Sequence, residues 1–455
     1  MTFIALFLMK NDYFSFKNLY HKIFLIFIII ISFGVNKIIN YYKYNPDKFY
    51  KNNLNKRINI GIVSQSIKNG GIERTTSLIL YYFNKVKIFK LFLFTKQQKQ
   101  NNEYFIDTNI KRIAFKNNLI ELLKQQKIDI LLYQCYDYKE INLLNKIKNL
   151  KLILINNSCF FYWIYINKYF YFKTYYQAYK NCNYTISLVP FENDYLFQKW
   201  GINSILMNNF IQYEYDAIAP SDLSSDIILM IGRGDDRNKR FDLGIKSMKY
   251  IINEVPESEM KLISNLDGII YLKKLTKDLN LENYVKFVGY ASNPSIYFTN
   301  ASIHLFPTIS ESFGNVLVET KIYGIPNILV GLDYLSASEG GTIIIYDDSP
   351  LSLARIAVKI LKNKKYKKKL GRAARNSMKK FNNWLILKRW IKVILSIYNG
   401  KEDYEKLRNE DKKMLDKDAI NIIEKQINLL KQRKTKFINL TLNDIENLTF
   451  IQNLK

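Results

Sequence analysis

Histidine is almost absent from the chain: His21 and His304 are the two present in 455 residues. A histidine-based metal centre is therefore not expected. Cysteine is nearly as scarce. Cys135, Cys159 and Cys182 are odd in number and contain no Cys-x-x-Cys spacing, which argues against a disulfide framework or a structural zinc and for a core kept under reducing conditions. Acidic residues are in deficit, 40 Asp and Glu against 68 Lys and Arg, giving a formal net charge of +28. Long apolar runs are missing too. The charge-free stretch IFLIFIIIISFGVN at residues 23–36 is shorter than the roughly 20 apolar residues that span a bilayer comfortably. No small-residue cleavage site follows it, which weakens a secretory-signal reading.

What is present follows from these deficits. The positive charge points to an anionic partner: nucleic acid, a phosphorylated substrate or an acidic membrane face. A chain so crowded with Lys, Asn, Ile, Tyr and Phe also reflects AT-rich codons, which supply excess Lys without any partner. No recognisable nucleic-acid module is found, so no nucleic-acid partner is expected. The leader reads as a short or tilted membrane anchor, an interfacial helix or a buried core helix. Its downstream flank is basic, with Lys37, Lys43, Lys48, Lys51, Lys56 and Arg57 against Asp47. That asymmetry would keep the following domains in the cytoplasm.

A length of 455 residues allows two or three domains. Short apolar strands alternate with helical stretches, as in parallel α/β architecture. One series runs from INIGIV at Ile58 through 88–94, 128–133, 151–155 and 184–188. A second runs from DIILMIG at Asp226 through MKLIS, YVKFVG, SIHLFP and NILVG. Two Rossmann-like domains are expected, at residues 57–215 and 216–380, after a leader at 1–56. A closing helix at 381–400 crosses back to the first domain. The charged tail at 401–455 reads as a solvated helical appendage.

Three motifs carry chemistry. In PTISESFGNVLVETKIYGIPNILV, from Pro307, a strand gives way to a polar loop and then to a helix that starts near Gly314 and ends at Gly324, before Pro326. Gly314 lets backbone approach a ligand, and the free amides of the first turn suit an anion. Glu319, seven residues beyond Glu311 and its loop, suits two ribose hydroxyls; Glu311 suits a sugar hydroxyl. In IGRGDDRNKRFDLGIKSM, Arg233 and Lys239 stand where a strand meets a helix, a place that suits a diphosphate. In QSIKNGGIERTTSLIL, Gly70 and Gly71 make a tight loop whose amides suit a phosphate or a transferred sugar.

The string Glu311-Ser312-Phe313-Gly314, an apolar run, Glu319, then Gly324-Ile325-Pro326 resembles the signature of retaining glycosyltransferase family 4. Gly-Gly-Ile-Glu-Arg after a first strand, VKFVGYASN at Val285, ILMNNFI at Ile205 and the helix from Phe381 are similar to the same family. The resemblance covers about residues 58–399. It implies a GT-B fold, two Rossmann-like domains facing across a cleft, here with an N-terminal hydrophobic helix and a charged helical tail. It further implies transfer of a sugar, with retention, from a nucleoside-diphosphate sugar (a UDP- or GDP-sugar) to a hydroxyl of a glycan or lipid-linked acceptor. By the resemblance Glu311, Arg233 and Lys239 are catalytic, and Gly70, Gly71, Arg233, Lys239, Phe313, Gly314, Asn315 and Glu319 hold the donor. No metal is expected, because no Asp-x-Asp stands at a strand end in the donor site and two cations take an ion's place.

The chain departs from the family where many members carry a cleft histidine. Asn156, Asn157 and Ser158 stand there, which puts the sugar specificity in doubt. The aromatic stretch at residues 160–179, with Lys168 and Lys173 interleaved, suits a headgroup interface and so a lipid-linked or membrane-proximal acceptor. Two other classes remain as rivals: a non-catalytic membrane-associated protein on a degenerate transferase fold, and a nucleic-acid binder supported by charge alone. His304, mid-strand, reads as a core residue.

Overall fold

The structure is a computed structural model. It describes Pro46 and residues 56–68, 70–134, 137–159, 161, 177–194, 201–202, 204–234, 237–265, 269–291, 293–400, 405, 407 and 416–433. The apolar run at 23–36, Cys135, Asp235, Asp236 and nearly all of 160–176 lie outside the described residues. The chain falls into two compact units, Met1–Asn52 and Asn53–Lys455, and the fold below is that of the second.

Its first sheet contains β1 (Ile58–Ser64), β2 (Phe89–Thr95), β3 (Lys111–Ala114), β4 (Ile130–Tyr133), β5 (Lys151–Ile155), β6 (Tyr184–Ser187) and β7 (Ser204–Leu206). Helices α1 (Gly71–Phe83), α2 (Leu119–Gln125) and α3 (Tyr138–Leu144) connect them. Strand order is β3-β2-β1-β4-β5-β6-β7, every ladder parallel. Every residue of β1 is buried, apolar and polar alike, because helices cover both faces of a parallel sheet.

The second sheet contains β8 (Ile227–Ile231), β9 (Glu259–Ile263), β10 (Val285–Gly289), β11 (Ile303–Phe306), β12 (Asn327–Val330) and β13 (Thr342–Ile345), in the order β10-β9-β8-β11-β12-β13, also all parallel. Around it lie α4 (Phe241–Glu254), α5 (Ile269–Asp278), α6 (Ser295–Phe298), α7 (Asn315–Ile322), α8 (Pro350–Lys362) and α9 (Lys364–Ser377). The expected pair of Rossmann-like domains is what the chain forms. β3 and β13 are additions to the expected strands. Both are edge strands of four residues, the first charged and neither fully buried, so neither gives a core signal.

α10 (Asn383–Asn399) leaves the second domain and lies on the first. Asn383 Nδ2 donates to Tyr82 Oη (2.7 Å) and Ile211 O (2.9 Å), and Arg389 Nε donates to Leu206 O (3.1 Å). α11 (Asp416–Gln432) corrects the picture of a solvated tail. Its Ile422, Ile423, Ile427 and Leu430 are buried in one core cluster with Phe306, Ile309 and Tyr334, and Arg433 Nη1 donates to Ile309 O (3.4 Å). Its apolar positions recur at i, i+1, i+5 and i+8, a stripe that the surrounding charges hide in the sequence.

Candidate active site

In each sheet the strand order reverses once, between β1 and β4 and between β8 and β11. The crevice beyond the carboxyl ends of strands at such a reversal is where open parallel sheets bind ligands. The loops leaving β1, β8 and β11 carry Gly70 and Gly71, Arg233 and Lys239, and Glu311 to Gly314 respectively. Residues far apart in sequence are thus brought to one crevice by topology.

On the second domain the pieces are tied together. Lys239 Nζ donates to Glu311 Oε2 at 2.7 Å, and both side chains are about four-fifths buried. The preceding residue pins the Glu311 loop: Asn238 Nδ2 donates to Ser310 O (3.0 Å), Asn238 Oδ1 accepts from Ser310 N (3.0 Å), and Ile309 N donates to Asn238 O (2.8 Å). Glu311 N donates to the buried Tyr334 Oη at 3.3 Å. Gly314 caps α7 at φ +75°, a left-handed conformation that favours glycine, and no side chain caps the helix start. The first-turn amides of α7 are therefore not taken by a cap. Phe313 is turned into the core, its ring edge-on to Phe381 at 5.6 Å, so of the expected donor contacts it shapes the loop rather than lining the crevice.

The first domain meets this rim through α1. Gly70 N-caps α1 without a side-chain hydrogen bond. Arg233 is exposed, and it faces Glu73 of α1: burial raises the Glu73 carboxyl, its own backbone amide lowers it, and the Arg233 charge lowers it further. Gly71 lies opposite Asn315; a β-carbon there would stand 3.9 Å from Asn315 Nδ2. Asn315 Oδ1 accepts from Asn209 Nδ2 at 3.3 Å. Glu319 is buried to 1% exposure and is bonded by Arg74 Nη2; Arg74 Nη1 donates to Gln212 Oε1 at 3.4 Å. Burial raises the Glu319 carboxyl, opposed by the Arg74 charge and hydrogen bond.

Arg74 is the site residue that the motifs did not single out. The signal was there: Gly71 and Arg74 are i, i+3 on α1, Asn315 and Glu319 are i, i+4 on α7, and such spacings share a face. What the sequence could not give was that the two faces meet. Asn157 also reaches the rim, where its carbonyl accepts from Ser312 Oγ at 3.0 Å and its Nδ2 donates to Gln134 Oε1 at 2.9 Å. Asn156 Nδ2 donates to Glu192 Oε1 at 3.1 Å inside the domain. The segment that lacks the family histidine therefore binds the Glu311 loop through its backbone. His304 is fully buried, with Nδ1 against Asn327 Oδ1.

The geometry so far defines a two-domain GT-B architecture with a polar crevice at the reversal points. Solved structures with this fold agree. Sucrose-phosphate synthase from Thermosynechococcus elongatus superposes with a TM-score of 0.63 at 15% identity, over 75% of this chain and 100% of that one. The Anabaena protein HepE, solved in complex with UDP and glucose, gives 0.59 at 14% identity, over 75% and 100%. Residues 212–377, the second domain with its linker, match the family described as Glycosyl transferases group 1. The chain is also 31% identical over 120 residues to a 4-alpha-N-acetylgalactosaminyltransferase of Campylobacter jejuni that acts on N-acetylgalactosamine-N,N'-diacetylbacillosaminyl-diphospho-undecaprenol, covering 26% of this chain and 30% of that protein. It spans a quarter to a half of the length of the curated relatives it matches.

Proposed function

We propose that this chain is a retaining glycosyltransferase that moves a sugar from a nucleoside-diphosphate sugar to a hydroxyl of a glycan or lipid-linked acceptor. The observation that carries this is the Lys239–Glu311 pair, at 2.7 Å, held at the carboxyl ends of β8 and β11 beside an uncapped helix start. Arg233 and Lys239 stabilise the diphosphate as it leaves, and the amides opening α7 add to that field. The bond from the anomeric carbon to the β-phosphate oxygen breaks, and the acceptor oxygen bonds to the same face of that carbon. The acceptor proton passes to the departing phosphate oxygen, so no separate base is required. Glu311, held by its ion pair with Lys239, orients a sugar hydroxyl.

Support for the donor class comes from the HepE complex with UDP and glucose, and support for the acceptor from the diphospho-undecaprenol substrate named for the Campylobacter relative. Attachment to a membrane through residues 23–36, with the two domains in the cytoplasm, belongs to the same reading. Among the described residues no helix is long and apolar enough to cross a membrane, and the leader is outside them. Thermal stabilisation by a panel of nucleoside diphosphates and hydrolysis of the matching nucleotide sugars test the reading. Stabilisation by one base with slow hydrolysis of one sugar is expected; no response to any member overturns it.

A further inference from the structure

The pairing of Arg74 with Glu319 joins the two domains at the base of the crevice. Arg74 stands one helical turn beyond Gly71 on α1, and Glu319 one turn beyond Asn315 on α7. Gly71 has no side chain, so α1 comes close to α7 at that level and lets the longer Arg74 reach the carboxylate behind. The contact engages only one carboxylate oxygen. Arg74 Nη2 bonds Glu319 Oε1, while Glu319 Oε2 is buried and has no hydrogen-bond partner among the described residues.

A buried carboxylate held at one oxygen and open at the other is an acceptor prepared for a hydroxyl donor. Burial raises the Glu319 carboxyl while the Arg74 charge and hydrogen bond favour its ionised form, the form that accepts hydroxyls best. We infer that Arg74 is a positioning residue of donor recognition: it reaches from the first domain to fix Glu319 and leaves Oε2 to accept the vicinal hydroxyls of the donor's ribose. The inference rests on the nucleotide-sugar reading above. Arg74 does not touch the diphosphate; it acts through Glu319. Because the two residues belong to different domains, donor binding and apposition of the domains favour each other by the same free energy.

The test uses the full chain and four probes: UDP, GDP, the 2′-deoxy form of whichever binds, and inorganic pyrophosphate. Wild type is expected to prefer ribose over 2′-deoxyribose by tenfold or more. In Arg74→Gln that preference should fall to within about threefold, with pyrophosphate affinity unchanged. Arg74→Lys, which restores a cation without the planar fork, should recover part of it. Glu319→Gln should lose the preference as Arg74→Gln does, and the double variant should lose no more than either single one. If Arg74→Gln does not fold, Arg74→Lys takes its place: its ribose preference should fall between those of wild type and Glu319→Gln, and a full wild-type preference overturns the inference. Arg74→Gln retaining wild-type discrimination overturns the inference, as does a parallel loss of pyrophosphate affinity, which would mark a structural role. A wild type that binds the diphosphates with no ribose preference sinks this inference alone. A wild type that binds neither nucleoside diphosphate sinks the donor reading and this inference with it.

Discussion

On the rim formed by β8 and β11, each polar group is held by another that is itself held. Lys239 bonds Glu311, Asn238 pins the same loop by three hydrogen bonds, and Tyr334 receives the Glu311 amide. The facing rim on β1 contributes two glycines and the exposed start of α1, with Glu73 and Arg74 as its charged side chains. One side is a fixed cradle and the other a surface that completes it. The difference suggests a division of labour: under the proposed function a donor is bound largely by groups that need no rearrangement, whereas the other domain supplies backbone room and the contacts made by Arg74, Asn157 and Asn209. Preorganised polar groups in a water-poor site act more strongly than mobile ones, which favours putting the charge chemistry on the rigid rim.

The rigid rim depends on a segment that looks peripheral. Ile423 of α11 is fully buried in the cluster that contains Phe306, Ile309 and Tyr334, beneath the Glu311 loop. Ile423→Ala should lower stability by about 2–5 kcal/mol, as core truncations do. Chemical denaturation of full-length protein would measure it. A loss under 0.5 kcal/mol (roughly the size of a neutral surface change) would show that α11 is not part of the cradle.

His304 gives the next largest effect, and it depends on pH. Burial holds its imidazole down at about 4, below the ordinary 6.5; the Asn327 hydrogen bond opposes this, and the charge of Lys239 adds a little to it. Between those values the unfolded chain binds a proton that the folded chain refuses. Stability is therefore full above about pH 6.5 and is lost as pH falls toward 4, by about 3 kcal/mol in all. His304→Gln removes this titration. Urea midpoints of wild type and variant, followed from pH 7 to pH 4.5, should converge as pH falls. Parallel curves would mean that His304 titrates normally and is not locked in the core.

Within the crevice, Lys239→Ala and Arg233→Ala should each weaken nucleoside diphosphate binding by about 1.5–3 kcal/mol, the worth of a hydrogen bond to a charged group. Gly71→Ala, on the opposite rim, should change it far less, because its new β-carbon would stand in ordinary contact at 3.9 Å from Asn315. Calorimetric titration of the three variants decides between rims. Equal affinities for wild type and both cation variants would remove Arg233 and Lys239 from the donor site.

The same division explains what could be read in advance. β8 and β11 were legible as short apolar runs, and α7 by the Gly314, Gly324 and Pro326 that bracket it where backbone must turn. Arg233 and Lys239 stood out as cations where a strand meets a helix, and Glu311 and Glu319 by their spacing around Phe313-Gly314. Arg74 and α11 did not stand out. Their roles depend on contacts across 245 residues, for Arg74 with Glu319, and across 124, for Arg433 with Ile309, and no local pattern records such distances. The inward turn of the Phe313 ring was hidden for the opposite reason. Its neighbours face the crevice, but a ring between a polar loop and a helix start is free to turn inward, and here it packs on Phe381.

The smallest expected effect is none at all, and it bears on the charge that replaces an ion. A departing diphosphate gains negative charge on its leaving oxygen, and a transferase needs a positive partner at that point. Here Lys239 stands on the fixed rim, paired with Glu311, and Arg233 acts on Glu73 of the facing rim; under the proposed function these two cations supply that partner. Asp235 and Asp236, the carboxylates nearest to them in sequence, lie outside the described residues. If the cations suffice, sugar transfer or donor hydrolysis measured in excess chelator should stay within about twofold of the untreated rate, a change of less than roughly 0.5 kcal/mol in the barrier. The same assay on Lys239→Ala sharpens the result. Loss of the lysine should lower the rate, and added magnesium should restore some of it, because an ion would then find the position unoccupied by an ammonium group. A wild-type rate that collapses in chelator and returns with magnesium or manganese would show that the fixed rim binds its ligand through an ion, and the proposed chemistry of Arg233 and Lys239 would have to be abandoned.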